Sequence, residues 1–246
     1  MFNQDDINEK IMEVMNKEFI LKNAHLAMES AEAYKLKAGF VPTDDRLTKD
    51  MKGIAVVPYI PLMEDEDGRA TALVTYDVLD QFGITKDEFF DAAYKNLDED
   101  TARIRSLTDV IGSMTLEGIV GDGEEHCLEP EDLTAEVGDL YYVTNKSAFR
   151  GAMSIFSNDT HKKIGQAIGD YYIIPSSIHE LLIVSCDVIE ASFISDMVKS
   201  VNASGIVADK DILSDEVYKF DSAAGKIVTM ELSEGKTRDA DIDLGK

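Results

Sequence analysis

The sequence predicts an α+β fold, in which helices pack over a mostly antiparallel sheet and a helical segment precedes it. Three observations lead to this class. Short apolar runs separated by turn residues indicate neighbouring antiparallel strands. Apolar residues at helical spacing flank these runs. Residues 181–184 are apolar at every position, which is typical of a strand in the middle of a sheet that is covered on both faces.

The beginning of the chain is predicted to be helical. Asp6 and Glu9 form an acidic variant of the capping box ahead of an apolar stripe, so we expect a helix to begin there. Helix-forming residues continue over residues 24–38. Gly39 is well suited to end that helix, because glycine readily adopts the left-handed conformation of a helix end.

A β-hairpin is predicted next. Its strands cover residues 54–62 and 70–76, and an Asp-Gly pair at residues 67–68 suits the tight turn between them. The acidic run around this turn differs from a calcium loop, because Met63 occupies the position of the first ligand. We therefore interpret the run as the tip of the hairpin.

Two helices are predicted after the hairpin. Thr85 and Glu88 have the spacing of a capping box, and apolar residues line one side of the helix from there to residue 97. A second helix is expected over residues 102–114, where apolar residues recur at the spacing of a core-facing stripe.

The second half of the chain has the more regular pattern. Asp159 and Gly169 are suited to begin and end a helix. A later helix is expected to bury an apolar stripe that includes Phe193 and Val201. The other predicted elements are a strand over residues 140–144, a short helix within 147–156, strands on both sides of 175–180, and a hairpin of 217–220 with 226–230.

These patterns divide the chain into five segments. The third is acidic, rich in breaker residues and without periodicity, which predicts an exposed loop. The last is polar and without periodicity, which predicts a disordered tail. The segments are an N-terminal helical segment (1–52), a hairpin with helices (53–117), the acidic loop (118–138), a strand-helix-strand-strand-helix half (139–232) and the tail (233–246).

A polar bend separates the two central strands of the second half. Pro175 has no N–H and must interrupt the hydrogen-bond ladder. The hydroxyls of Ser176 and Ser177 can satisfy backbone groups that this interruption frees. We therefore interpret the bend as a joint of the scaffold.

The same bend contains the sharpest catalytic candidates. Ser176, Ser177 and His179 are residue types that supply a nucleophile and a base, with Glu180 to orient the base. In an extended strand His179 and Glu180 point to opposite faces, and Ser177 lies about 6.5 Å from His179 along the backbone. The chain also lacks the Gly-x-Ser-x-Gly elbow. This geometry argues against a hydrolytic site, so no catalytic residue is assigned.

Other kinds of site have less support. Lys146, Arg150, Lys162 and Lys163 form a local basic cluster, which could dock an anion or an acidic partner or could be an ordinary solvated surface. The histidines lack the spacing of a zinc site, and no glycine loop has the phosphate-binding pattern. No metal and no cofactor is predicted.

The charge of the chain argues against several classes of partner. Its 246 residues include 24 Lys and Arg against 48 Asp and Glu, a net charge of −24. Such a surface repels nucleic acid phosphates and anionic membranes. The first ten residues do not resemble a signal peptide, and no apolar run approaches the roughly 20 residues of a membrane span. Together with only two cysteines, this predicts a cytoplasmic protein.

Several short motifs resemble one family in their order along the chain. The most specific is IPSSIHE at residues 174–180, with GRA at 68–70, LYYVTN at 140–145 and LSDEVY at 213–218. The chain resembles the bacterial domain of unknown function 5688 over roughly residues 54–221. The resemblance implies a bacterial, intracellular protein of mixed α and β structure, and implies no reaction, substrate or catalytic residue. Members often carry a further segment before this region, and whether one is missing here is open.

These observations favour a non-enzymatic intracellular binding or accessory protein. Its partner is expected to be a protein or a small molecule, not nucleic acid or a membrane, and its oligomeric state is open. One alternative is a serine-dependent hydrolase that uses Ser176 or Ser177 with His179. A second alternative is an acidic decoy, which would engage a nucleic-acid-binding protein by imitating phosphate charge.

Overall fold

A computed structural model describes residues 15–65, 68–116, 126–205 and 207–230. Two antiparallel sheets, one of three strands and one of six, are accompanied by helices, so the predicted α+β class is confirmed. No helix within these ranges has the length and apolar character that crossing a bilayer requires. The expected capping box at Asp6 and Glu9 and the tail over residues 233–246 lie outside the described residues.

The smaller sheet contains the predicted hairpin. Strands β1 (His25–Ser30), β2 (Ile54–Asp65) and β3 (Gly68–Leu73) lie in that order, and both pairs are antiparallel. The register places Tyr59 opposite His25 on one side and opposite Leu73 on the other. The hairpin of β2 and β3 is therefore confirmed, although residues 66 and 67 at its turn lie outside the described part.

The prediction of one helix over residues 24–38 that ends at Gly39 is correct only for residues 31–35, and the helix there ends at Leu36. A short helix α1 (Lys17–Lys22) precedes β1, and a second, α2 (Ala31–Lys35), follows it. The side chains of Leu26, Ala27 and Met28 are all buried, which a strand with covered faces achieves. Helix propensity is a weak preference, and pairing with β2 overrides it here.

The larger sheet confirms the central strand that the sequence predicted. β7 lies between β5 and β6, and Leu181, Ile183 and Val184 in it are buried. The order is β4-β5-β7-β6-β8-β9, and every pair is antiparallel. The strands are β4 (Arg103–Ser106), β5 (Tyr141–Thr144), β6 (Tyr171–Ile174), β7 (Leu181–Ser185), β8 (Tyr218–Asp221) and β9 (Lys226–Thr229).

The helix predicted over residues 102–114 is also wrong in its first part. Residues 103–106 form β4, where Ile104 is buried opposite Val143. The helix itself covers only Leu107–Leu116, and Ile111 on it is more than half exposed. Ile104 therefore matched the helical spacing by coincidence, and its side chain belongs to the face of a strand.

The other helices agree more closely with the sequence. In chain order the helices from the hairpin onward are α3 (Tyr76–Gln81), α4 (Lys86–Glu99), α5 (Leu107–Leu116), α6 (Thr160–Ile168) and α7 (Ala191–Ala203). Thr85 begins α4 as predicted, because its hydroxyl accepts the N–H of Glu88 at 3.1 Å. Gly169, with φ at 73°, ends α6 as predicted.

Three details of these helices differ from the predictions. Asp159 precedes α6, but its carboxylate pairs with Lys162 at 2.8 Å and makes no capping hydrogen bond. Phe193, expected on the buried stripe of α7, is 61% exposed. The short helix expected within residues 147–156 is a 3₁₀ segment (Gly151–Asp159), which contacts β1, β5 and α4 and so lies between the sheets.

One hydrophobic core joins the two sheets. Its members include Met28 of β1, Phe89 of α4, Leu133 of the acidic loop and Ile183 of β7. Side chains on both sides of the boundaries drawn at residues 52, 117 and 138 therefore pack together. The division of the chain into five segments remains a prediction.

Gly165 provides a test of this packing. A Cβ at Gly165 of α6 would overlap the ring of Phe220 on β8, whereas a Cβ at Gly112 of α5 would meet nothing within 4 Å. We expect Gly165→Ala to lower the free energy of unfolding by about 1–3 kcal/mol. Gly112→Ala should leave it unchanged or raise it by up to about 1 kcal/mol, because alanine favours helix. Urea titration measures the unfolding free energy of both variants. An equal loss of this free energy in Gly165→Ala and Gly112→Ala would contradict the packing of Gly165 against Phe220.

His161 should make stability depend on pH. Its ring lies between Phe156 and Phe220, with centroids 5.1 Å and 6.0 Å away, and burial lowers its pKa from 6.5 to about 4. The unfolded chain therefore takes up this proton at a higher pH than the folded chain does. Lowering the pH from 7 to 5 should cost about 2 kcal/mol of unfolding free energy. In His161→Phe this loss of unfolding free energy between pH 7 and pH 5 should be smaller. An equal loss in the variant and in the unsubstituted protein would show that His161 is not its source.

Candidate functional site

The proline-serine bend uses both of its hydroxyls internally. Ser177 is buried, and its Oγ accepts the backbone N–H of His179 at 2.9 Å. The Oγ of Ser176 donates to the carbonyl oxygen of Glu180 at 3.1 Å. The two hydroxyls thus bond to backbone groups of the bend itself.

The imidazole of His179 faces other partners. Its Nδ1 accepts the backbone N–H of Arg150 at 3.1 Å, so the neutral ring carries its proton on Nε2. That Nε2 lies 3.7 Å from Oδ1 of Asp211. Among the described residues no hydrogen bond joins this ring to Ser176 or Ser177. The structure therefore does not bring the proposed nucleophile and base together.

A tight contact at Gly151 holds the neighbouring loop against the bend. The hydroxyl of Thr144 donates to the carbonyl oxygen of His179 at 2.8 Å. A Cβ at Gly151 would lie 2.7 Å from the backbone nitrogen of Asn145 and 2.7 Å from that same carbonyl oxygen. Only glycine fits this approach, and the preceding Arg150 takes a left-handed φ of 52°. This geometry directs the segment of residues 145–150 into the space between the sheets.

The guanidinium of Arg150 lies in that space. The side chain is 17% exposed, and its Nη1 lies 3.5 Å from Oε1 of Glu29, a buried carboxylate on β1 that also pairs with Lys37. Its central carbon lies 5.2 Å from the centroid of the Tyr59 ring. An ion pair and a cation–π contact thus hold the loop that follows β5 of the larger sheet against the smaller sheet.

A cleft of about 460 Å³ opens beside these groups. Arg69 on β3 donates from Nη1 to the carbonyl oxygen of Ser147 at 2.8 Å and lies 5.5 Å from the Phe149 ring. Lys146 also lines this cleft and is exposed. Other lining residues are His25, Tyr59, Asp100 and Asn145. Two basic side chains, Arg69 and Lys146, and the carboxylate of Asp100 thus line one cleft.

Tyr59 and His25 add ring polar atoms to the cleft wall. Burial raises the pKa of Tyr59 to about 12, so its hydroxyl stays protonated at neutral pH and can donate a hydrogen bond. Nδ1 of His25 lies 2.9 Å from the carbonyl oxygen of Asn23, which requires a proton on Nδ1. In the neutral ring Nε2 is then an acceptor. The cleft wall therefore offers donors and acceptors besides its charges.

The structure splits the basic cluster that the sequence suggested. Lys146 and Arg150 lie at the cleft, whereas Lys162 pairs with Asp159 and Lys163 lines a separate cavity. Sequence reasoning missed Arg69 as a candidate, although the motif at residues 68–70 contains it. It also missed His25 and Tyr59 as partners, because residues 25–30 were predicted to be helical. Within the described ranges no three His, Cys, Asp or Glu side chains gather as a metal site would require.

Fold and cleft together define a class: an α+β protein in which two antiparallel sheets share a core and border a polar cleft with aromatic walls. The family model described as a family of unknown function (DUF5688) matches residues 44–222. This match covers well over half of the chain, so the protein belongs to that family, as the motifs suggested. No curated protein and no solved structure matches the chain.

The bend makes a prediction about its two serines. Ser177→Ala would leave the N–H of His179 without a partner in a buried turn, and we expect a loss of about 1–3 kcal/mol in unfolding free energy. Ser176 is partly exposed, so water can replace its bond, and Ser176→Ala should cost less than about 0.5 kcal/mol. Chemical denaturation of both variants measures this difference, and the reverse order would contradict a structural role for Ser177.

Proposed function

We propose that the protein is a non-enzymatic binding protein that takes a small organic anion into the cleft between its smaller sheet and the loop that follows β5. One observation carries the proposal: Arg69 and Lys146 line a cavity of about 460 Å³ that also has aromatic walls. Cavities of roughly 300–1,000 Å³ are typical of small-molecule sites. Guanidinium and ammonium groups are the side chains that recognise carboxylates and phosphates.

The charge distribution supports a small ligand over a large one. The net charge of −24 opposes the approach of a long polyanion, because its many charges would meet the acidic surface. A small anion meets mainly the local field of the cleft. There Arg69 and Lys146 attract it at short range.

The walls also suit the apolar part of an organic ligand. Tyr59, Pro61, Ala70 and Phe149 line the cleft beside the charged groups. Aromatic and aliphatic walls with a few polar groups are the usual composition of a small-molecule site. An inorganic ion would leave these walls without a partner, so we propose an organic anion.

A binding role without catalysis is supported by the bend. The hydroxyls of Ser176 and Ser177 already serve the backbone, and Nδ1 of His179 accepts from Arg150. The serine hydrolase and the acidic decoy remain predictions from the sequence. Within the described part of the chain no hydrogen bond joins the ring of His179 to either serine, which favours ligand binding over the hydrolase.

Lys146 allows a direct test with a matched control. The protein is screened by thermal shift against simple carboxylates, amino acids and sugar phosphates, and hits are titrated by calorimetry. We expect at least one class to bind and Lys146→Gln to weaken it about tenfold or more, since a charge-assisted hydrogen bond contributes about 1.5–3 kcal/mol. Lys162→Gln, at an exposed position of α6 that does not line the cleft, should change nothing. Failure of all three classes to bind, or equal weakening by both variants, would refute the proposal.

A further inference from the structure

We infer that the ligand is an amino acid with an acidic side chain: a carboxylate and a protonated amine on one carbon, with a second carboxylate beyond it. This inference rests on the proposed function and names its ligand class. It comes from the inner end of the cleft, where an acidic side chain and a basic side chain border one small space.

The inner space adjoins the cleft directly. It has a volume of about 20 Å³ and shares four lining residues with the outer cavity: His25, Tyr59, Asp100 and Asn145. A volume of about 10–15 Å³ suffices for one water-sized atom. The space therefore admits the oxygen of a ligand's head group, while the rest of the ligand lies in the outer cavity.

Two side chains offer donors to this space. Ser154 is 2% exposed, and its Oγ has no hydrogen-bond partner in the described part of the chain. The same holds for Nε of Arg150, while its Nη1 has only the ion pair with Glu29 at 3.5 Å. Both side chains line the inner space. Buried donors without a partner are costly, and a carboxylate oxygen is the acceptor that best complements a hydroxyl beside a guanidinium.

A negative group borders the same space. Asp100 lines both the inner and the outer cavity, and its carboxylate makes no hydrogen bond or ion pair with another described residue. It is also farther than the 4 Å ion-pair limit from Arg150, so the two charges do not neutralise each other directly. A simple anion bound here would be repelled by Asp100. A ligand with a positive group beside its carboxylate would satisfy both charges.

The end of helix α4 strengthens the preference for a cation at Asp100. Asp100 is the C-terminal cap of this 14-residue helix, whose last turn contains no basic residue. The last carbonyl groups of a helix carry a partial negative charge, which favours a cation there. The helix end and the carboxylate therefore act in the same direction, and a ligand ammonium group fits the position.

The outer cavity accounts for the second carboxylate. Arg69 and Lys146 line it, beyond the residues that it shares with the inner space. An acidic side chain that extends from the inner head group into this cavity meets these two cations. The aromatic walls contact the methylene groups between the two ends. Such a ligand has a net negative charge, as the proposed function requires.

L-glutamate and three relatives test this inference on the full chain by calorimetry. Glutarate lacks the amine, 4-aminobutyrate lacks the α-carboxylate, and L-norvaline lacks the side-chain carboxylate. We expect L-glutamate or L-aspartate to bind, and each relative of L-glutamate to bind at least about tenfold more weakly, since one charged contact is worth that factor.

Two variants test which residue binds the amine of the ligand and which binds its α-carboxylate. Asp100→Asn should weaken L-glutamate about tenfold or more and leave glutarate unchanged or tighter, which a general loss of structure would not do. Ser154→Ala removes a hydroxyl with no internal partner, so the fold should persist while both ligands bind several-fold more weakly. Circular dichroism confirms the folding of each variant, and Lys162→Gln again serves as the control.

The outcomes separate this inference from the proposed function. Binding of glutarate as tightly as L-glutamate would overturn the inference, because the amine would then contribute nothing, and would leave the proposed function standing. If simple carboxylates or sugar phosphates bind and acidic amino acids do not, the inference would likewise be overturned and the proposed function would stand. Failure of every small anion to bind would overturn both.

Discussion

The buried guanidinium of Arg150 connects parts of the molecule that are distant in sequence. Its side chain meets the carboxylate of Glu29 on the smaller sheet, and its backbone N–H donates to His179 at the bend of the larger sheet. Removing a charge from water costs several kcal/mol unless a partner compensates it, so loss of Glu29 would leave the guanidinium without its ion pair, whereas loss of Arg150 would leave Glu29 with Lys37 as its partner. Arg150 therefore links the two sheets beside the cleft.

Arg150 reaches that position through close packing of the backbone. Gly151 lies so near the carbonyl oxygen of His179 that no side chain fits, and Thr144 bonds the same oxygen. The bend that follows Pro175 is held by its own serine hydroxyls. The residues that first resembled a catalytic group therefore bond to the backbone beside the cleft, and under the proposed function other side chains, which this backbone positions, bind the ligand.

The contrast between surface and cleft gives the protein its selectivity under the proposed function. A strongly acidic surface lowers the affinity for every polyanion, while Arg69 and Lys146 create a local site for a small one. Asp100 at the inner end adds a second criterion, because a carboxylate there rejects an anion that has no positive group beside its own carboxylate. Attraction at one end and repulsion at the other distinguish ligands better than attraction alone.

Local signals were sufficient wherever one stretch of chain carried the whole pattern. The sequence by itself determined the α+β class, the hairpin of β2 and β3, the start of α4 at Thr85 and the covered strand β7, because turn residues, caps and apolar runs act over a few positions. It also placed Lys146 and Arg150 among the binding candidates.

Only the tertiary structure decided that residues 25–30 and 103–106 are strands, since a few apolar residues fit a helix or a strand until a partner is present. It also brought His25, Arg69 and Asp100 to one cleft, because contacts between residues so far apart in sequence leave no local pattern.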